Sequence, residues 1–306
     1  MSTPEPMGGG QRGPTAAQPP GRVGVQAREL GAPVRARLAL YWLALYRRRR
    51  MLLALALGMV AFESLIIVII RTIPPEDMFA GSIRQPPSAF RAFSGSGGAV
   101  SLASYPGLVG AGLIHPFWIA MQLTVVGSFG AAAVAADVEA GTIELLMVRP
   151  ISRARLLAER TAALVTGSVL VTTAASAAIA VGVAATPRLH QAVPLGGVAA
   201  AGVLGLGLAL CIAGPVLAVS AASRHRSQVV GATIMLGAVG FAVNFVAQAW
   251  STVSFLRFIT PFHYYTPADA LVSGTVPVRS LALLLGVGLT GFAAAGWLLA
   301  RRDLAP

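Results

Sequence analysis

The sequence has 306 residues, of which 56% are hydrophobic and only 11% are charged. Soluble globular domains carry about 25% charged residues, so this composition excludes an ordinary soluble protein. The formal net charge is +12, and all 23 basic residues are arginines that cluster near the ends of apolar runs. That distribution indicates membrane topology and argues against nucleic acid as a partner.

The first 50 residues precede the first long apolar run. Residues 1–30 are rich in Pro, Gly and Gln and predict a disordered cytoplasmic tail rather than a signal peptide. Residues 31–50 predict an interfacial amphipathic helix, since Trp42 and two nearby tyrosines favour the depth of the lipid headgroups. The alternative is that this segment extends the first membrane span.

Six apolar runs predict six transmembrane helices, because a helix needs about 20 apolar residues to cross a hydrocarbon core of roughly 30 Å. A backbone in lipid must satisfy its own hydrogen bonds, so the predicted fold class is an all-α polytopic membrane protein. The transmembrane domain covers residues 51–306, with spans at residues 51–70, 116–136, 161–185, 195–222, 228–249 and 279–300. Seventeen arginines fall on one side of this arrangement and six on the other, which predicts that both termini are cytoplasmic.

Two outer connections carry local signals. Residues 71–115 are rich in Ser, Gly and Pro, and their mildly apolar part, residues 100–113, is expected to rest on the outer membrane surface. Between the fifth and sixth spans, Thr266 predicts the cap of a short helix, with Pro267 at its first position and Gly274 at its end.

The connection between the second and third spans is a charged segment, residues 137–160. An arginine at the centre of a membrane helix costs about 2.5–3.5 kcal/mol, so its four arginines place the segment outside the lipid, on the inner side. Thr142 predicts the cap of a short amphipathic helix, Pro150 ends it, and Ser152 caps a second helix that continues into the third span. We expect a rigid elbow that docks another protein and transmits its movement. The alternative is a solvated loop that only sets topology.

The string DVEAGTIELLMVRPISRARLL, residues 137–157, closely resembles the signature of the membrane subunits of type-2 ATP-binding-cassette (ABC) exporters. The order of parts matches this permease family from about residue 34 onward, and WLLARRDL at residues 297–304 is similar to the ending of the family. Arg160 stands where the family usually has a lysine, which keeps the charge. The resemblance implies coupling to an ATPase subunit by Asp137, Glu139, Gly141, Thr142, Glu144, Leu145, Leu146, Arg149, Pro150, Ser152, Arg153 and Arg155.

The same resemblance implies an efflux permease in the cytoplasmic (inner) membrane of a bacterium. It would work as a homodimer or with a second permease, surrounded by membrane lipid and bound to cytoplasmic ABC ATPase subunits. Those subunits, and not this chain, would bind ATP and Mg²⁺.

We predict no catalytic, cofactor-binding or metal site in the chain itself. A Walker A loop needs a lysine to reach the phosphates, and the sequence contains no lysine, so the ATPase must be a separate polypeptide. The four histidines lie in different connections or span ends and show no paired metal-ligand spacing.

Glu63, about midway along the first span, is a functional candidate because ionisable residues at that depth are costly. Gln122 in the second span, and Asn244 and Gln248 on one face of the fifth span, are further candidates to line a translocation path. The alternative function is a secondary, ion- or proton-coupled transporter that uses Glu63. The sequence does not identify the substrate.

Overall fold

The computed structural model describes residues 38–75, 100–144 and 151–302, and these residues form helices and turns with no strand. The predicted tail, residues 1–30, lies outside the described residues. So do four of the predicted coupling residues, Leu145, Leu146, Arg149 and Pro150.

The described residues form eleven α-helices and three helical segments of other types. The α-helices are α1 (Ala39–Thr72), α2 (Tyr105–Ile114), α3 (Pro116–Ala131), α4 (Ala135–Glu139), α5 (Arg153–Ala184), α6 (Pro187–Ala192), α7 (Leu195–Ala222), α8 (Arg226–Ile234), α9 (Gly240–Ala249), α10 (Pro267–Ser273) and α11 (Val278–Arg301). A π-helical turn, Met235–Val239, joins α8 to α9, and two 3₁₀ segments, Ser251–Ile259 and Pro261–Tyr264, precede α10.

Six helical stretches are long and apolar enough to cross a membrane, which confirms the all-α polytopic fold class. In chain order they are α1, α2 with α3, α5, α7, α8 with α9, and α11, and we call them the first to sixth spans. The fourth span has the predicted bounds, and the fifth and sixth differ from theirs by one or two residues.

The first span differs from the prediction because α1 is one unbroken helix of 34 residues. No separate interfacial helix precedes it in the described residues, and the observed arrangement is the alternative in which that segment extends the first span. The residues around position 50 are Leu, Ala, Arg and Met, which are strong helix formers, and nothing in them ends a helix. At 1.5 Å per residue α1 is about 51 Å long, longer than the hydrocarbon core.

The expectation that residues 100–113 rest on the outer surface is wrong, because α2 is packed inside the bundle and begins the second span. Val109 and Leu113 are fully or almost fully buried. Glycines allow this approach: a Cβ on Gly112 would lie 3.3 Å from the Glu63 carboxylate on α1. The break between α2 and α3 falls at His115, whose Nδ1 accepts a hydrogen bond from the Phe117 N–H (3.2 Å).

The fourth span is the central helix and packs against the second, third and sixth spans and α10. Its contact with the sixth span is made backbone to backbone, because a Cβ on Gly214 would overlap the Gly288 carbonyl and a Cβ on Gly291 would overlap Gly214. Small residues at such contacts let membrane helices approach closely. The helix continues through Pro215.

The short helix α10 has its predicted bounds, with Pro267 at the first position and Gly274 ending it in the left-handed conformation (φ 68°). The predicted capping role of Thr266 is wrong, because its side chain makes no cap hydrogen bond. The close packing of α10 against the fourth span depends on Gly197, because a Cβ at that position would overlap the Leu271 carbonyl.

Candidate functional site

One end of the bundle carries the charged segment between the second and third spans, and we call it the arginine-rich end. The first, third and fifth spans begin there, and the second, fourth and sixth spans finish there. The start of a helix leaves N–H groups without intrahelical partners, and the end of a helix leaves carbonyl groups without them. The charged segment supplies many of the missing partners.

Acidic side chains meet the helix starts at this end. Glu159 Oε2 accepts hydrogen bonds from the N–H groups of Leu40 (2.9 Å) and Tyr41 (3.2 Å) in the first turn of α1, and Oε1 accepts one from Arg155 Nε (2.7 Å). Only 5% of the Glu159 side chain is exposed. This carboxylate therefore caps the first span from another helix, with the sign that the helix dipole favours.

The third and fifth spans are capped in the same way. The hydroxyl of Ser152 accepts a hydrogen bond from the Arg155 N–H (3.2 Å) and so caps the third span as predicted. Glu139 Oε2 accepts a hydrogen bond from the N–H of Arg226 (2.6 Å), the first residue of the fifth span, and Oε1 lies 3.8 Å from Arg226 Nε.

Arg160 meets the end of the second span. Its Nη1 donates to the carbonyl groups of Ala132 and Ala133 (both 2.8 Å), and the same guanidinium forms an ion pair with Asp137. A cation at a helix end complements the helix dipole, and charge-assisted hydrogen bonds of this kind are stronger than neutral ones.

Two further arginines meet the ends of the fourth and sixth spans. Arg302 Nη1 donates to the carbonyl groups of Ala221 (2.7 Å) and Ser223 (2.9 Å). Arg153 Nη1 donates to the carbonyl groups of Leu299 (3.1 Å) and Arg302 (2.6 Å). Burial and then the nearby Arg224 lower the pKa of Arg302, and its guanidinium stays charged because arginine is not deprotonated in proteins.

All six span ends at this end of the bundle are thus capped by side chains, acidic or hydroxyl at the starts and arginine at the finishes. The charged segment provides five of these caps. The guanidinium of Arg302 provides the sixth, and the carbonyl of Arg302 accepts a hydrogen bond from Arg153. A displacement of the charged segment would therefore act directly on five spans. The five capping residues from the segment are Glu139, Ser152, Arg153, Glu159 and Arg160.

The remaining predicted coupling residues form a turn and an exposed surface. The N–H of Thr142 donates to the carbonyl of Asp137 (2.9 Å), and Gly141 adopts the left-handed conformation that this turn requires (φ 66°). Glu144 is exposed, and the side chain of Arg155 is 42% exposed. Arg153, in contrast, points its guanidinium at the end of the sixth span.

Sequence reasoning missed Glu159, Arg302 and Arg48 as site residues. Arg48 on the first span donates to the side-chain oxygen (3.0 Å) and the carbonyl (3.1 Å) of Ser128 on the second span. Each of these three residues has a partner on another span that lies about 80 or more positions away in the chain. The sequence feature that could have identified them is that each is a charged residue beside an apolar run.

The four candidates for a translocation path lie in separate places. Glu63 is fully buried, and neither carboxyl oxygen has a hydrogen-bond partner among the described residues. Gln122 Nε2 donates to Thr172 Oγ1 (2.8 Å), between the second and third spans. Asn244 Oδ1 accepts from Thr260 Oγ1 (3.4 Å), and Gln248 is partly buried one turn further on.

Residues 46–304 match the family model described as ABC-2 family transporter protein. No curated protein matches the chain. The match covers most of the 306 residues, so the chain belongs to the ABC-2 transporter family, as its resemblance predicted. It is therefore a multi-pass membrane protein and the permease component of an ABC transporter, a component that works with an ABC ATPase subunit.

Proposed function

We propose that this permease belongs to an exporter that moves its substrate outward across the cytoplasmic membrane of a bacterium. ATP hydrolysis in the separate ATPase subunit, which binds ATP and Mg²⁺, would supply the energy. The proposal rests above all on one observation: the charged segment, which carries the family signature, caps five of the six spans at the arginine-rich end.

The charged segment divides into an outward part and an inward part. Its outward part, Thr142, Glu144 and Arg155, is exposed and forms the proposed docking surface for the ATPase subunit. Its inward part makes the capping contacts. Closure of the ATPase subunits around nucleotide would then displace the docking surface, and the caps would carry the displacement to the helix ends.

Charge and burial support the orientation and the assembly that we propose. The excess of arginine at the charged end supports a cytoplasmic location for it, where an ATPase can reach the docking surface. Of the 18 most apolar consecutive residues of the fourth span, 61% are buried inside the chain. The corresponding share is only 17–22% in the first, fifth and sixth spans. Those three spans leave surface for lipid and for a second permease, so we propose a path between two permease subunits.

Co-purification tests the docking surface. Glu144→Lys reverses a charge on that surface, and we expect the ATPase subunit to be lost while the permease stays folded. Arg224→Glu is the matched control, since it reverses an exposed charge at the same end of the bundle but outside the charged segment. Retention of the ATPase subunit by the Glu144→Lys protein would contradict the proposal.

Secondary transport remains the second candidate, and the complete burial of the unbonded Glu63 carboxyl group favours it. Transport measured with an ATPase subunit that cannot hydrolyse ATP separates the two functions. An ABC exporter stops transporting under this condition. Its Glu63→Gln variant, paired with an active ATPase subunit, continues to transport. A Glu63-dependent carrier shows the opposite pattern.

A further inference from the structure

A cavity of about 390 Å³ lies at the arginine-rich end among the first, second and third spans. Its wall contains three guanidinium groups, those of Arg47, Arg48 and Arg160, and one carboxylate, that of Asp137. The wall therefore carries an excess of positive charge. Such a cavity between membrane helices, beside the ends of the spans, is suited to an anion.

The arginines of the cavity are held in place and still have donors to offer. Arg160 is fixed by two carbonyl groups and by Asp137, and Arg48 is fixed by Ser128 and lies over the ring of Phe129 (5.0 Å from Cζ to the ring centroid). A guanidinium has five N–H donors, and Arg48 uses only Nε and Nη2 in its contacts with Ser128. Arg47 is exposed and makes no hydrogen bond or ion pair within the part of the chain that the structure describes.

An apolar groove adjoins this cavity and shares Ser128 with it. The groove has a volume of about 510 Å³ and runs between the second and fifth spans. On the second span it extends from Ser128 to Ala120, which is about 12 Å along the helix toward the middle of the span at 1.5 Å per residue. Its opposite wall is apolar except for one hydroxyl and is formed by Val230, Thr233, Ile234 and Ala238.

We propose that the cavity and the groove together bind one anionic phospholipid of the leaflet at the arginine-rich end. The phosphate would lie among the three guanidinium groups, and an acyl chain would lie in the groove. The combination favours a lipid over other anions, because free phosphate leaves the groove empty and a soluble acidic peptide does not reach an apolar groove at membrane depth. The lipid would join the first, second, third and fifth spans beside their capped ends. This proposal does not depend on ATPase coupling.

Lipid retention by the purified full-length chain tests the headgroup part. Native mass spectrometry would compare phosphatidylglycerol with phosphatidylcholine of the same chain length, and we expect the wild-type protein to retain phosphatidylglycerol preferentially. Arg47→Gln should weaken that retention about fivefold, the effect of one basic residue near an anionic headgroup. Arg49→Gln is the control, because Arg49 lies about 200° around α1 from Arg47 and outside the cavity.

A second variant tests the acyl-chain part. The hydroxyl of Thr124 contacts only the carbonyl of Ala120 in its own helix (2.8 Å), so Thr124→Trp fills the groove without removing a contact between helices. We expect it to weaken phosphatidylglycerol retention while Leu57→Trp, at an exposed position on the first span, does not.

Several outcomes would overturn the proposal. These are equal retention of the two lipids by the wild-type protein, equal losses in Arg47→Gln and Arg49→Gln, and no effect of Thr124→Trp. Complete displacement of the lipid by millimolar inorganic phosphate would assign the cavity to phosphate alone. Displacement by the purified ATPase subunit would assign it to a protein partner.

Discussion

The carboxylate of Glu159 accepts a hydrogen bond from the main-chain N–H of Leu40, 119 positions earlier in the chain (2.9 Å). The same oxygen accepts a second hydrogen bond from Tyr41. The start of the first span is therefore fixed to the second turn of the third span, within the charged segment. A contact of this kind stabilises the start of the first span and joins it to the third span.

Glu159→Ala should destabilise the protein by roughly 1–3 kcal/mol, because it leaves the N–H groups of Leu40 and Tyr41 without their acceptor. Thermal unfolding of the purified permease measures this as a fall of several degrees in Tm. Arg155→Gln is the matched control: it breaks the ion pair with Glu159 but keeps the cap, and a partly exposed pair contributes only about 0.2–1 kcal/mol. Equal shifts in the two variants would show that the cap is not the source of the stability.

Arg160→Met should also destabilise the protein, since it removes the donor to the carbonyl groups of Ala132 and Ala133 and the cation that pairs with Asp137. The loss of a charged donor to partly buried acceptors costs roughly 1–3 kcal/mol. Arg160→Lys keeps the charge and can satisfy some of the three acceptors, so we expect a Tm between those of wild type and Arg160→Met. A Lys variant as unstable as the Met variant would show that the shape of the guanidinium, rather than its charge, is essential.

Gly291→Ala should disrupt the contact between the fourth and sixth spans, because the new Cβ would overlap the backbone of Gly214. Overpacking of this kind costs roughly 1–3 kcal/mol. Gly296→Ala is the control on the same helix, since nothing lies within 4 Å of its Cβ position. Chromatography and thermal unfolding should show a loss of folded protein for Gly291→Ala only, and equal behaviour of the two variants would contradict the proposed helix contact.

The positions of the spans were largely predictable, because the thickness of the hydrocarbon core sets the length of an apolar run, and such runs are visible in the sequence. Residues 195–222 were predicted at both ends, since Pro194 precedes the run and charged residues follow it. The second span was predicted too short. Its first part, α2, is rich in glycine and faces protein rather than lipid, so it needs less hydrophobicity than a span exposed to lipid.

The capping arrangement could be predicted only in part. Ser152 caps its own helix, and a local pattern of that kind is visible in the sequence. The contacts of Glu159 with Leu40 and of Arg302 with Ala221 join residues that are far apart in the chain, so they depend on how the helices pack. The resemblance to a family directed attention to the charged segment, but it did not separate its exposed residues from those that hold the helices.

Arg153→Gln should separate ATP hydrolysis from transport, because Arg153 joins the charged segment to the carbonyl groups of Leu299 and Arg302 at the end of the sixth span. We expect the ATPase subunit to remain bound and active while the substrate moved per ATP falls roughly fivefold or more, the usual size of a coupling between sites. Arg153→Lys should restore part of this ratio, and Arg301→Gln should leave it unchanged, since the guanidinium of Arg301 lies over the ring of Trp297. Transport and ATPase activity measured in the same proteoliposomes give the ratio. If Arg153→Gln instead releases the ATPase subunit as Glu144→Lys is expected to do, Arg153 belongs to the docking surface and the sixth span is not linked through it.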